Sequence, residues 1–294
     1  MRINRLAAAG GLAAVVCGVA LAPMPVDAAP VSVSTESSAG HPRVHGFGLD
    51  LDKLAAYQAS RKSTKTTFGK PKPVHAVTTA PASYSLKSFA QAPGDQGQVG
   101  SCVAWATGYT GIGLLMNEQG ITGDPMAPMF IYAQIAKGND QGTWASVALP
   151  MERDQGIDTK ADYWQGDFDY TTQPDAAERA NAANYKISGY TDLTNSDRVT
   201  AIKEAIASGL PVAIGFRVKS SFYKLSPTND IYVPKGKVVG GHEVTIVGYD
   251  ANYVTIENSW GSDWGNQGFF RMSWSTITSR DVDEVHSIGK LVAG

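Results

Sequence analysis

Cys102, His242 and Asn258 are a thiol, an imidazole and a carboxamide in that order, with Gln96 six residues ahead of the thiol. A thiolate attacks a carbonyl carbon efficiently when an imidazole manages its proton, a third group fixes the ring, and donors receive the oxygen that turns anionic. These side chains fit those parts: Cys102 the nucleophile, His242 the base and later the acid, Asn258 the acceptor for the second ring nitrogen. The Gln96 amide and the Cys102 backbone N–H fit as oxyanion donors. Trp260 would shield the imidazole–amide bond from water. Each piece is weak alone: Gln96 also reads as a solvated turn residue, His242 as a satisfied core histidine, and Asn258 as a turn former. Their joint occurrence points to nucleophilic acyl transfer.

The thiol must be made acidic, because a free cysteine with a pKa of about 8.5 is mostly protonated at neutral pH. Cys102 ends the run Asp95-Gln96-Gly97-Gln98-Val99-Gly100-Ser101-Cys102, just where a helical pattern begins. The first turn of a helix favours negative charge. An imidazolium at His242 would complete an ion pair that persists before substrate arrives. The chain has two cysteines; with Cys17 in an N-terminal apolar run, Cys102 has nothing to pair with. An isolated cysteine otherwise reads as a small buried hydrophobe.

The elements that must position these groups are legible in outline. Ser101 is a helix N-cap for an element running to about Gln119, with Trp105, Tyr109, Ile112 and Met116 on one face. Gly108, Gly111 and Gly113 cost about 1 kcal/mol each inside a helix, so close approach of other backbone is expected there. Further helices are expected over 128–137 and 144–154, around the loop Asn139-Asp140-Gln141-Gly142, and from an Asn195 cap to Gly209. Residues 211–218, 242–249, 253–257 and 269–273 read as strands. Helices precede strands, which predicts an α+β fold.

The 294 residues are 43% hydrophobic, enough for a substantial core. The 25 basic and 27 acidic residues leave a net charge of −2, with no basic stripe, so neither nucleic acid nor a charged membrane surface is an expected partner. Arg2 and Arg5, an apolar run from Leu6 to Ala22, and small residues around Val26–Ala29 form an export signal over 1–29. Secretion or periplasmic residence follows, with no stable membrane anchor after processing. Residues 30–82 are rich in Ser, Thr, Lys, Pro and Ala, with one apolar patch at Phe47, Leu49, Leu51 and Leu54. That segment is either a flexible leader or a propeptide over a cleft. The folded domain is expected over 83–294.

From about residue 83 to 274 the chain resembles the papain-like cysteine proteases, especially their compact prokaryotic-type members. The carriers are Asp95-Gln96-Gly97 with Gly100-Ser101-Cys102, Gly240-Gly241-His242 leading to Val247-Gly248-Tyr249, and Asn258-Ser259-Trp260-Gly261 with Trp264-Gly265 and Gly268. His242 stands 140 and Asn258 156 residues beyond Cys102, close to the family's interval of about 130–150. The resemblance implies a two-lobed papain-like fold: a helical half whose central helix starts at the nucleophile, a sheet or barrel-like half, and a cleft between them. It implies an exported zymogen that hydrolyses peptide bonds through a thioester on Cys102, needing no metal or organic cofactor. Peptide or protein substrates and the chain's own propeptide would be the cleft's partners. Gly142 resembles the cleft glycine whose backbone pairs with an extended peptide, and Gly241 joins it as substrate-binding backbone.

Three residues depart from the family pattern. Val99 replaces a half-cystine, Val103 replaces an aromatic residue, and Glu243 follows the base where a small apolar residue is usual. On a strand Glu243 should point away from Cys102, either solvated or paired, or else perturbing the His242 pKa. Two other readings stay open: a catalytically poor papain-like peptide-binding protein, and an amidase or transpeptidase acting on cell-wall peptides.

Overall fold

The computed structural model describes residues 45–63 and 79–292. The expected export signal lies outside them. The described residues all fall within one compact unit, Pro42–Gly294.

A helical half and a sheet half meet along one central helix, the expected α+β arrangement. The central helix runs as Cys102–Ala104, Trp105–Ile112 and Gly113–Glu118, and the middle piece is π-helical. It ends within one residue of the expected end at about Gln119. Its start differs, because Ser101 makes no side-chain cap bond and its buried hydroxyl lacks a partner. The wider π turn redirects backbone groups to outside partners; the Thr245 hydroxyl donates to the Ala106 carbonyl at 2.7 Å. The glycines are needed, but for side chains rather than backbone. A Cβ on Gly108 would lie 2.5 Å from Ile157 Cδ1, and one on Gly111 2.4 Å from Ile288 Cδ1.

Helices Pro128–Ala136 and Ala145–Asp154 pack in the same half. Helix Arg198–Ala207 is capped by Asp197 rather than Asn195. Three α-helices lack a counterpart in the sequence reading: Ala176–Ala182, with a capping box between Asp175 and Glu178, the short Trp274–Ile277, and Leu51–Ser63 in the leader.

The strands are β1 (Tyr84–Ser85), β2 (Lys186–Ile187), β3 (Tyr190–Asp192), β4 (Val212–Lys219), β5 (Ile231–Tyr232), β6 (Val238–Tyr249), β7 (Tyr253–Glu257), β8 (Phe269–Ser273), β9 (Val282–Ile288) and β10 (Leu291–Val292). The main sheet has the order β3-β9-β4-β6-β7-β8-β5, with β1 also paired to β6; β10 pairs with β2 apart from it. β6 carries Gly240, Gly241 and His242 in one run. Its register with β4 sets His242 opposite Phe216 and Glu243 opposite Gly215.

Two buried carboxyls brace the central helix. Thr107 Oγ1 lies 2.6 Å from Glu152 Oε1, and Thr110 Oγ1 3.1 Å from Glu257 Oε1. Burial pushes both acids up to about 8, with the threonine bonds opposing. A raised folded pKa means that their stabilisation is complete below about 4.5, the unfolded value, and is lost as pH climbs towards 8. His242 and His286, pushed down to about 4 by burial, act oppositely: their contribution is complete above about 6.5 and lost as pH falls. From pH 6.5 to 8 the acids act unopposed by these histidines, each by at most about 2 kcal/mol. Thermal melts should therefore show Tm falling across that window, with a flatter profile in Glu152→Gln. A Tm that rises there would mean the acids are not held neutral.

Candidate active site

Cys102 opens the central helix and is fully buried. His242, on β6, is equally buried, and Asn258 lies just past the end of β7. His242 Nε2 is 2.7 Å from Asn258 Oδ1, so this nitrogen carries the proton that the amide oxygen accepts. Trp260 tilts at 37° over the imidazole with ring centroids 5.1 Å apart. Phe216 and Phe222 present edges to the same ring. The histidine is thus set in an aromatic wall that leaves Nδ1 as its working atom.

Gln96 is held from two sides. Its Oε1 accepts from Ser259 Oγ at 2.7 Å, and its Nε2 donates to the Val99 carbonyl at 2.9 Å and to the Gly46 carbonyl at 3.3 Å. Gly46 belongs to the leader, so leader backbone occupies this amide. The loop carrying Gln96 has no disulfide. Instead the Gly100 N–H donates to both Asp140 oxygens at 3.0 and 3.1 Å. Tyr132 Oη donates to Asp140 and accepts from the Gly142 N–H. Asp140 therefore ties the Gln96 loop to the loop around Gly142, where the family pattern would have a half-cystine.

Leader residues 45–50 lie in the cleft. The Leu49 N–H donates to the Gly241 carbonyl at 3.1 Å, the Asp50 N–H to the Thr143 carbonyl at 3.0 Å, and the Thr143 N–H to the Gly48 carbonyl at 2.8 Å. The last two bonds make Leu49 and Thr143 a parallel bridge. At the other end His45 stacks on Trp260 with centroids 4.9 Å apart, and Phe47 meets the edge of His242. The leader pairs with the backbone of Thr143, next to Gly142. Gly142 serves by lacking a side chain: it sits at φ 71°, and a Cβ there would be 2.3 Å from the Gly48 oxygen. Gly241 combines both functions, since its carbonyl is bonded and a Cβ would strike the Leu49 oxygen at 2.5 Å.

The expected thiol–imidazole ion pair is absent under this cover. Cys102 Sγ takes a hydrogen bond from the Glu243 N–H at 3.4 Å, while His242 Nδ1 is buried without a hydrogen-bond partner. Burial pushes the thiol up to about 12; hydrogen bonds from backbone N–H groups, those of Glu243 and Gly48 among them, pull it down, and the Glu243 charge adds to the rise. Burial also pushes His242 down to about 4, despite Asn258. Excluding water disfavours both charged forms, so thiol and imidazole are neutral together.

Glu243 is not solvated, and its backbone N–H meets the sulfur. It is fully buried, beside a second acid, Glu284 of β9, and burial with that neighbour raises its pKa well above the usual carboxylate range.

The model of the papain family of cysteine proteases matches residues 87–288. Among curated proteins, an uncharacterised peptidase C1-like protein of Acanthamoeba polyphaga mimivirus is 27% identical over 64% of this chain and 66% of its own length. Cysteine proteinase 3 of Entamoeba histolytica is 26% identical over 73% of this chain and 68% of its own. Among solved structures, xylellain, a cysteine protease from Xylella fastidiosa, superposes with a TM-score of 0.69 at 22% identity, covering 86% of this chain and 99% of that one. A digestive procathepsin L 3 of the Tenebrio molitor larval midgut gives 0.59 at 21% identity, covering 82% and 88%.

Proposed function

Since the chain belongs to the papain family of cysteine proteases, we propose that it is a peptidase acting through a Cys102 thioester and made as a precursor whose leader covers the cleft. The observation that carries this reading is the backbone pairing of leader residues 48–50 with Thr143 and Gly241 directly over Cys102. An extended peptide is what such a cleft holds.

On this reading His242 Nδ1 takes the thiol proton and the thiolate attacks the carbonyl carbon. The oxygen turns anionic between the Gln96 amide and the Cys102 N–H, and the imidazolium then protonates the leaving nitrogen. Water attacks the thioester with His242 as base, which returns the thiol. The leaving amine must lie on the His242 and Trp260 side, so the acyl half of a substrate lies along Thr143. The leader runs the other way, from His45 against Trp260 to Asp50 against Thr143. That reversed direction keeps its peptide bonds from presenting the geometry that a substrate's would.

Export rests on the signal pattern of residues 1–29 and belongs to the same proposal. Turnover of a fluorogenic peptide by the processed chain, blocked by an epoxysuccinyl reagent that adds once and at Cys102, is the test. Labelling without any turnover would favour a peptide-binding protein, and digestion of purified peptidoglycan in place of peptides a cell-wall amidase. Gln96→Ala should lower kcat by about 10²–10³ with KM little changed, the usual effect of losing one oxyanion donor. Steady-state kinetics on that variant would show whether the amide has only a structural role, in which case KM and stability would move instead.

A further inference from the structure

Between β4 and β6 the chain folds back on itself. The Ser220 N–H donates to the Lys237 carbonyl at 3.0 Å and the Ser221 N–H to the Lys235 carbonyl at 3.1 Å. Ser221 Oγ donates to the Val233 carbonyl at 2.9 Å and accepts from the Lys235 N–H at 2.8 Å. The turn at Gly236, φ 90°, closes so tightly that a Cβ there would lie 2.1 Å from Ser220 Oγ. Residues 220–224 and 233–238 are thereby one ledge.

Aromatic packing fixes that ledge to the catalytic wall. Phe222 is buried, with its ring centroid 5.2 Å from that of Trp260 and 5.0 Å from that of Trp264. Tyr223, the next residue, is 51% exposed yet stacks at 14° on Trp260 with centroids 6.1 Å apart. Phe47 of the leader reaches the same tyrosine at 6.2 Å. The ledge therefore continues the cleft beyond Trp260.

Its surface is basic and apolar at once. The ledge's neighbouring charges are matched, Lys219 with Asp281 and Asp230 with Arg271. Lys224, Lys235 and Lys237 are exposed and have no ion-pair partner among the described residues. Tyr223, Val233 and Val238, each roughly half exposed, stand among them. Apolar side chains left open to water mark a contact surface, and three unmatched ammonium groups set the sign of what it contacts.

We infer that this ledge docks an acidic stretch of a protein substrate, on the C-terminal side of the bond to be cut. The inference rests on the peptidase reading and names its substrate class. The leaving nitrogen lies on the Trp260 side, and ring contacts of 5.1 and 6.1 Å lead from His242 to Tyr223, about three residues of extended chain at ~3.3 Å each. Aspartates and glutamates from there onward meet the three lysines, and their apolar neighbours meet Tyr223 and the two valines. Exposed charges of this kind speed encounter and leave the chemical step alone.

The test uses the processed chain and internally quenched peptides with one shared acyl half, continuing past the scissile bond with Glu-rich, Gln-rich or Lys-rich stretches. At about 0.01 M salt the Glu peptide should exceed the Gln peptide at least about fivefold in kcat/KM, with the Lys peptide below both, and about 1 M salt should erase the difference. In Lys224→Gln/Lys235→Gln/Lys237→Gln the preference should fall below about twofold. A substrate whose leaving group is a single fluorophore amine never reaches the ledge, so the triple variant should cleave it as wild type does, which also shows that the variant is folded. If it is not, the wild-type ratio and its salt dependence decide. Equal rates for the three peptides, or a preference unmoved in the folded variant, overturn the inference and leave the peptidase reading intact. Binding to phosphatidylglycerol vesicles through these lysines, with no preference among peptides, would give the ledge to an anionic membrane and overturn it likewise. Hydrolysis of none of the substrates overturns both readings.

Discussion

Cys102→Ala removes all measurable peptide hydrolysis, an expected loss of about 10⁵-fold or more in kcat, the scale seen when a nucleophile is deleted from a covalent mechanism. Nothing nearby can substitute. The adjacent Ser101 hydroxyl is buried, and His242 has its Nε2 committed to Asn258. The variant should nonetheless fold, since the sulfur receives only weak backbone hydrogen bonds, the one from the Glu243 N–H at 3.4 Å among them. Activity, labelling by an epoxysuccinyl reagent and the melting temperature should be read together: the first two vanish and the third shifts by a few degrees at most. Hydrolysis persisting in a homogeneous preparation of the alanine variant would remove Cys102 from the reaction.

The chemistry was legible because it resides in residue types and long intervals, which survive folding unaltered. Cys102 at a helix start, His242 on one strand and Asn258 just past the end of the next are local statements, and the periodicity there is strong. What stayed hidden depends on pairs distant in sequence. The leader reads as polar and low in complexity, yet helix Leu51–Ser63 forms because Leu54 is buried and Gln58 and Arg61 reach Asp283 and Asp192. Propensity carries no trace of those contacts. Asp140 looks like an ordinary loop residue until it meets the Gly100 N–H forty positions earlier.

The acid pair illustrates the same limit differently. Glu243 is conspicuous after the histidine, but its environment depends on β9, whose polar alternation Val-Asp-Glu-Val-His-Ser-Ile carries a weak strand signal. Only the order β9-β4-β6 brings Glu284 to the other side of Gly215. The π segment of the central helix is equally silent, because the i, i+4 contact of Trp105 with Tyr109, at 4.8 Å between rings, is also what an α-helix gives.

Covering the cleft does more than block it, and this leads to the second large effect. With the thiol pushed up to about 12, the thiolate fraction at pH 7 is only about 10⁻⁵, and it is the thiolate that reacts. Once residues 45–50 leave, water reaches the site, burial no longer opposes charge on sulfur and ring, and the helix N-terminus and an imidazolium both favour the anion. Alkylation of Cys102 by iodoacetamide should then quicken by at least about 10³-fold, tracked by mass spectrometry on intact and processed chain. Gly48→Val offers the same release without cleavage. A Cβ at Gly48 would be 2.1 Å from the Gly100 oxygen, which is backbone and cannot yield, so the leader must lift. The intact variant should alkylate nearly as fast as processed protein. Equal rates for intact wild type and processed chain would mean that the leader hinders access without controlling the charge on sulfur.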